Sequence, residues 1–266
     1  MVGVNPRAGP LAQAPLRRFT PQLAALLLVA AVAWAVTVGS AQGMSSGPSG
    51  TAGMGLPSFL IMWTPMMAAM MLPAVAPIAA AYSRTVRTLR TARLTTFALG
   101  YLVVWVAAGV PAFLLAWGAE RLTQDKPGLA TTAAVTAYAV CGVYQLTPWK
   151  DRCLQHCRSP LALLLQYGSY KGRLRDFRAG LHHGAYCAGC CWALFVVLVA
   201  VGVTNLAAMV ILASVVLLEK LWSRGVTFSR AVGVLAVLLA VGVIWFPELA
   251  PGLHGEEMTH PMPMNH

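Results

Sequence analysis

Six cysteines lie close together in the second half of the chain: Cys141, Cys153, Cys157, Cys187, Cys190 and Cys191. In C-L-Q-H-C (153–157) two sulfurs are four residues apart. On a helix that spacing stacks them on one face, with Cβ atoms about 5–6 Å apart. His156 sits beside them. In H-H-G-A-Y-C-A-G-C-C-W (182–192), His183, Cys187 and Cys191 follow an i, i+4, i+8 rule, and Cys190 falls three after Cys187. One helical stripe therefore offers an imidazole and three sulfurs. Imidazole and thiolate together suit copper, zinc or iron. Vicinal and two-residue-spaced cysteines also suit thiol–disulfide exchange.

A second donor type precedes these. In M-W-T-P-M-M-A-A-M-M-L-P (62–73), Met62, Met66 and Met70 recur every four residues, as do Met67 and Met71. Thioethers bind Cu(I) without needing deprotonation, although methionine also serves as a flexible gap-filler in packed cores. Pro65, Pro73 and Pro77 free backbone carbonyls in the same stretch, which lipid tolerates only against protein or a cavity. The stretch after Pro247 adds His254, Met258, His260, Met262, Met264 and His266.

These donors must be positioned by a membrane bundle. The 266 residues are 58% apolar and 10% charged, with mean hydropathy +0.67, against roughly a quarter charged in a soluble domain. Apolar runs fall at about 22–40, 57–82, 96–118, 129–149, 183–203, 206–221 and 231–247. Roughly 20 apolar residues cross the hydrocarbon as a helix, so the expected fold is all-α, a polytopic bundle of about seven transmembrane helices. The net charge of +11 does not mark a nucleic-acid binder, because the charges sit in gaps between apolar runs. With seven crossings, all of the 19 basic residues except Arg121 and Lys126 share one side. The positive-inside rule then puts the N-terminus in the cytoplasm and the C-terminus outside. Trp117, Trp149, Trp222 and Trp245 lie near run ends, where interfacial anchors sit.

This organisation gives a cytoplasmic arm over 1–21, a bundle over 22–247 and a flexible Met/His-rich periplasmic tail over 248–266. The first run is longer than a signal-peptide core and is expected to remain as a helix. Residues 159–181 mix Leu163, Tyr167, Tyr170 and Phe177 with Lys171, Arg173 and Arg175, the pattern of an amphipathic helix lying on the inner membrane surface. No G-x-x-x-x-G-K loop occurs, so the chain carries no sign of a P-loop energy source.

In this topology all six cysteines lie on the reducing side, where thiols stay free for soft metals or redox chemistry. Folding the fifth and sixth runs as a hairpin about Thr204 and Asn205 brings Cys190 level with Glu219. An ionisable group at that depth is costly unless it is paired or functional. Lys220 beside it is expected to snorkel to the interface. Cys141 continues the small-residue row Ala133, Ala137, and Ala185, Gly189, Ala193 make another; such rows pack helices together. The expected metal ligands are Cys187, Cys190, Cys191, His183, Cys153, Cys157, Glu219, Met62, Met66 and Met70. Thioether and imidazole outside with thiolate inside favour copper over zinc or iron.

The stretches 62–77, Y-Q-L-T-P-W-K-D-R-C-L-Q-H-C-R (144–158), G-x-x-H-G-A-Y-C-A-G-C-C-W (180–192) and V-V-L-L-E-K-L (215–221) resemble a bacterial family of uncharacterised, metal-binding integral membrane proteins. The resemblance covers roughly 55–225 and implies a bacterial inner-membrane location. The function expected is copper handling, by transport or by delivery to a copper enzyme, rather than catalysis. The partners expected are the lipid bilayer, the metal ion and a copper enzyme or metallochaperone, with no nucleic acid. The alternatives are a membrane thiol-redox protein and a structural assembly subunit whose cysteines only pack helices.

Overall fold

The computed structural model describes residues 21–42, 51, 53–85, 89–159, 165–251 and 253. The basic residues of the arm and the Met/His residues of the tail lie outside these. Among the described residues the regular structure is helical, with no strand. The elements are α1 (Pro21–Gln42), α2 (Leu56–Thr85), α3 (Arg90–Asp125), α4 (Ala130–Gln145), α5 (Pro148–Arg158), α6 (Arg175–Val201), α7 (Leu206–Leu221) and α8 (Gly225–Trp245). Short 3-10 turns, Pro127–Leu129 and Pro247–Leu249, precede α4 and follow α8.

Five of these helices contain a stretch long and apolar enough to cross a membrane: α1, α2, α3, α6 and α8. The fourth and sixth apolar runs fold as α4 and α7, each 16 residues and so about 24 Å long. That is short of the roughly 30 Å hydrocarbon core. The fourth run, expected to continue to residue 149, stops at Gln145. Thr147 caps a new helix there, its hydroxyl accepting from the Lys150 amide at 3.3 Å, with Pro148 in the first turn. A threonine cap followed by proline is a start signal, and a residue before proline is disfavoured in a helix.

The stretch 159–181 is also interrupted. Residues 165–168 make one helical turn, Gly172 has φ +93°, and α6 already begins at Arg175. Phe177 and Leu181 therefore extend a long helix through the bundle and are not part of a separate one.

Side-chain size decides how the helices meet. In α1, Leu26, Ala30, Ala33 and Thr37 are buried while Leu28, Val29, Val32 and Val36 are exposed. A helix apolar on both sides in this way faces protein on one and hydrocarbon on the other. The exposed Trp149, Trp222 and Trp245 sit at helix ends as anchors do, whereas Trp117 lies eight residues before the end of α3. Helices α3 and α6 approach through glycine. A Cβ on Gly180 would lie 2.0 Å from the Phe97 carbonyl oxygen, and one on Gly100 would lie 2.3 Å from that of Phe177. Gly142 and Gly233 do the same for α4 and α8, where a Cβ on Gly142 would lie 2.8 Å from the Gly233 oxygen. Small residues at helix crossings replace the hydrophobic drive that lipid removes. In the row Ala185, Gly189, Ala193 the first residue is exposed, while Gly189 packs toward Cys153 and Ala193 is buried. The buried face carries Gly180, His183, Gly184, Cys187 and Cys191.

The Gly180→Ala variant should unfold at lower denaturant, losing about 1–3 kcal/mol, because backbone blocks the new methyl. Gly39→Ala, where a Cβ meets nothing within 4 Å, should show no loss in the same detergent-based denaturation series.

Candidate metal centre

Helical periodicity aims one face of α6 into the bundle, and that face carries His183, Cys187, Cys190 and Cys191, all at most 2% exposed. The Cys190 and Cys191 thiols fold back toward the Cys187 carbonyl oxygen, at 3.1 and 2.7 Å. From α5, Cys157 comes within hydrogen-bonding reach of Cys190, which also neighbours Cys187 and Cys191. The Cys153 sulfur lies 3.7 Å from where a Cβ on Gly189 would stand. The two cysteine motifs, separate in sequence, therefore converge. All six cysteines are free thiols, and Cys141 is buried in the core.

Charged and polar residues surround the sulfurs. The Cys187 sulfur lies 2.6 Å from the Lys220 ammonium and 3.0 Å from the Tyr101 hydroxyl. Lys220 does not snorkel to the interface: it is 8% exposed and turns inward, because the thiol cluster offers its ammonium a partner that lipid does not. Lys150 is fully buried and donates to the Glu219 carboxylate at 2.7 Å and to the Cys190 carbonyl. Gln145 donates to the other Glu219 oxygen at 2.8 Å, and Ser229 donates to Gln145 at 3.2 Å. Glu219 thus stands at the depth of Cys190, with both oxygens occupied by a lysine and an amide. It neutralises Lys150 and is not an open ligand. Arg158 ties α5 to the end of α7 by donating to the Glu219 carbonyl at 3.0 Å and to the Trp222 and Ser223 carbonyls.

His183 and His156 each bury a ring nitrogen that has no hydrogen-bond partner. His183 stacks on Tyr101 with ring centroids 5.8 Å apart, and its Nδ1 is buried without a hydrogen-bond partner. His156 stacks on Tyr186, and its Nε2 likewise has no partner. Burial, and then the nearby His182, hold the His156 pKa below the usual imidazole value. Burial pushes the Cys153 thiol up. The neighbouring Cys190, followed by burial, does the same to Cys157. Metal binding at these sulfurs must therefore release protons.

Among the described residues no three His, Cys, Asp or Glu side chains already stand as a metal cage. The Cys190 and Cys191 thiols point back along their own helix, so gathering them on an ion takes side-chain rotation. The donors nevertheless fit a soft ion. Their sulfurs are clustered, dry and free, and the orphaned His183 nitrogen lies on the same helical face.

The methionines follow α2 toward this cluster. Met66, Met67, Met70 and Met71 are at most 2% exposed, and Met62 is half-buried. The Met71 carbonyl accepts from Tyr101, the residue that also touches Cys187. Tyr101, Lys150 and Gln145 were not visible as site residues in the sequence. Lys150 is one of many basic residues outside the apolar runs, and Tyr101 resembles any aromatic residue inside one.

Residues 60–244, more than half of the chain, match the family model PpoB2, described as a copper chaperone. No curated protein and no solved structure matches the chain.

Replacing Lys150 by Met strands the Glu219 charge. Such a loss costs about 3–5 kcal/mol when a buried pair is broken from one side. Chemical unfolding in detergent should show that loss for Lys150→Met, and most of it should return in Lys150→Met/Glu219→Met.

Proposed function

The chain belongs to the PpoB2 family of copper chaperones, and we propose that it is a membrane copper handler that takes Cu(I) at the converged cysteines. The observation that carries this is the buried stripe of α6, where the Cys190 and Cys191 sulfurs both lie at the Cys187 carbonyl and the Cys187 sulfur lies 2.6 Å from Lys220, with Cys157 of α5 neighbouring Cys190. The ion is cargo. It is held by two of these sulfurs, with His183 as the neighbouring neutral donor, and is passed to a copper enzyme or metallochaperone.

Charge balance supports copper over zinc. Lys150 and Glu219 cancel each other, which leaves the Lys220 ammonium as the unmatched buried charge. A buried charge is costly without its opposite. Cu(I) on two thiolates has a net charge of −1, which Lys220 neutralises. Zn(II) on two thiolates is neutral, and it reaches the same charge only by drawing a third thiolate into a four-ligand site. Metal-free, the sulfur 2.6 Å from Lys220 is the atom able to supply the counter-charge. Thiols at most 1% exposed are also poor partners for disulfide exchange with another protein, which needs access to the sulfur.

The setting proposed is a bacterial inner membrane, with seven crossings, the N-terminus inside and the cysteines in the cytoplasmic half. The segregation of basic residues to one side supports it. In that orientation the surface-lying role proposed for the basic, aromatic stretch before α6 faces the inner leaflet.

Purified in detergent under reducing conditions, the parent should retain Cu(I) against a moderate chelator. Cys187→Ser/Cys190→Ser/Cys191→Ser should hold one Cu(I) fewer than the parent, as measured by elemental analysis. Equal copper in the two proteins would remove the thiols as the site.

A further inference from the structure

At the other end of the same helices a second group of methionines lines a small open space. A cleft of about 20 Å³ is bounded by α1, the start of α2, the turn before α7 and the first turn of α7. Its lining includes Met62, Met66 and Met209 and the residues Thr37, Ser40 and Thr204. Met209 was not singled out by spacing. Asn205 caps α7, its side chain accepting from the Ala208 amide at 3.0 Å, and thereby places Met209 in the first turn.

We propose that Met62, Met66 and Met209 form a second Cu(I) site at the outer mouth of the bundle. This rests on the copper-handling reading and extends it to the face where the ion enters or leaves. Methionine used as a gap-filler closes gaps; here three methionines leave one. Among the described residues no carboxylate, imidazole or thiol lines the cleft, so harder divalent ions find no charged ligand among them. Thioether sulfur is soft and neutral and selects Cu(I). It also suits a compartment in which exposed thiols would oxidise.

The position of the cleft fits a route. Met66 and Met71 are five residues apart on α2, about 7.5 Å along the axis. Met70 and Met71 are fully buried between the cleft and the cysteines. The Met71 carbonyl meets the Tyr101 hydroxyl, which meets the Cys187 sulfur. Neutral thioethers at the mouth therefore lead, through a methionine-lined stretch of one helix, to sulfurs that can ionise. The ion moves toward stronger donors as it goes inward, and no change in its oxidation state is involved.

The test uses the full chain in detergent with Cu(I) under reductant, followed by a competing Cu(I) chelator. Met62→Leu/Met66→Leu/Met209→Leu should bind one Cu(I) fewer than the parent. In the Cys187→Ser/Cys190→Ser/Cys191→Ser background a Cu(I) should remain bound at about pH 5, because thioethers need not lose a proton to bind. Adding the three Leu changes should remove it. X-ray absorption on that background should show sulfur ligation that the Leu changes abolish. Leu is close to Met in volume, so Met209→Leu alone, with an unchanged melting curve, should already weaken retention. If the Leu variants hold as much Cu(I) as their parents, the outer site is refuted while the cysteine site stands. If the Ser variant holds as much as the parent while the Leu changes strip copper, the cysteine site falls and the outer one stands.

Discussion

A buried ammonium in an apolar bundle must find an opposite charge or a dense set of acceptors, because lipid offers neither. Two lysines impose that demand here. Lys150 meets it with Glu219 and the Cys190 carbonyl, and Gln145 and Ser229 satisfy the remaining carboxylate and amide oxygens. This network joins α4, α5, α6, α7 and α8 at one level and fixes where the cysteine stripe of α6 stands. Lys220 has no carboxylate in reach and turns to the Cys187 sulfur. The arrangement is therefore electrically complete only when sulfur carries negative charge, and that is the state in which sulfur binds a soft cation.

The glycines matter for the same reason. Tyr101 reaches both the Met71 carbonyl and the Cys187 sulfur only because α3 and α6 approach to backbone contact at Gly100 and Gly180. Wider spacing would leave the hydroxyl without Cys187 and open the cluster to lipid. The crossing that stabilises the bundle is thus also the one that seals the sulfurs from water. Close packing costs the site some freedom, since Cys190 and Cys191 must rotate away from the Cys187 carbonyl to meet an ion.

Local periodicity made much of this legible. The stripe His183, Cys187, Cys191 and the pair Cys153, Cys157 follow from helical geometry alone, and the hairpin about Thr204 and Asn205 sets Cys190 level with Glu219, the two being bridged by Lys150. The residues that complete the site were hidden, because their roles come from tertiary neighbours. Lys220 read as an interfacial charge, Lys150 as one of many basic residues outside the apolar runs, and Met209 as an ordinary apolar side chain. Helix lengths were misjudged where capping overrides hydropathy. Thr147 and Pro148 end the fourth run early, and α6 starts at Arg175, ahead of the apolar run, because Asp176 finds Arg93 at 2.8 Å and Tyr82 inside the bundle.

The donors form an ordered series along the bundle, and compartment chemistry explains the order. In the route proposed above, thioethers at the outer mouth form no disulfides and do not compete with protons. Thiols deeper in gain affinity by ionising, and Lys220 makes ionisation affordable in a dry site. A bundle with thiols at both ends would risk disulfides outside, and one with thioethers at both ends would have no gradient of affinity. On that proposal, an ion that prefers thiolate to thioether moves inward along the series, and each thiol that binds it gives up a proton. Release on the inner side requires a partner whose own thiolates compete for the ion, which places Cys153, the half-buried sulfur beside Gly189, where such an exchange would begin.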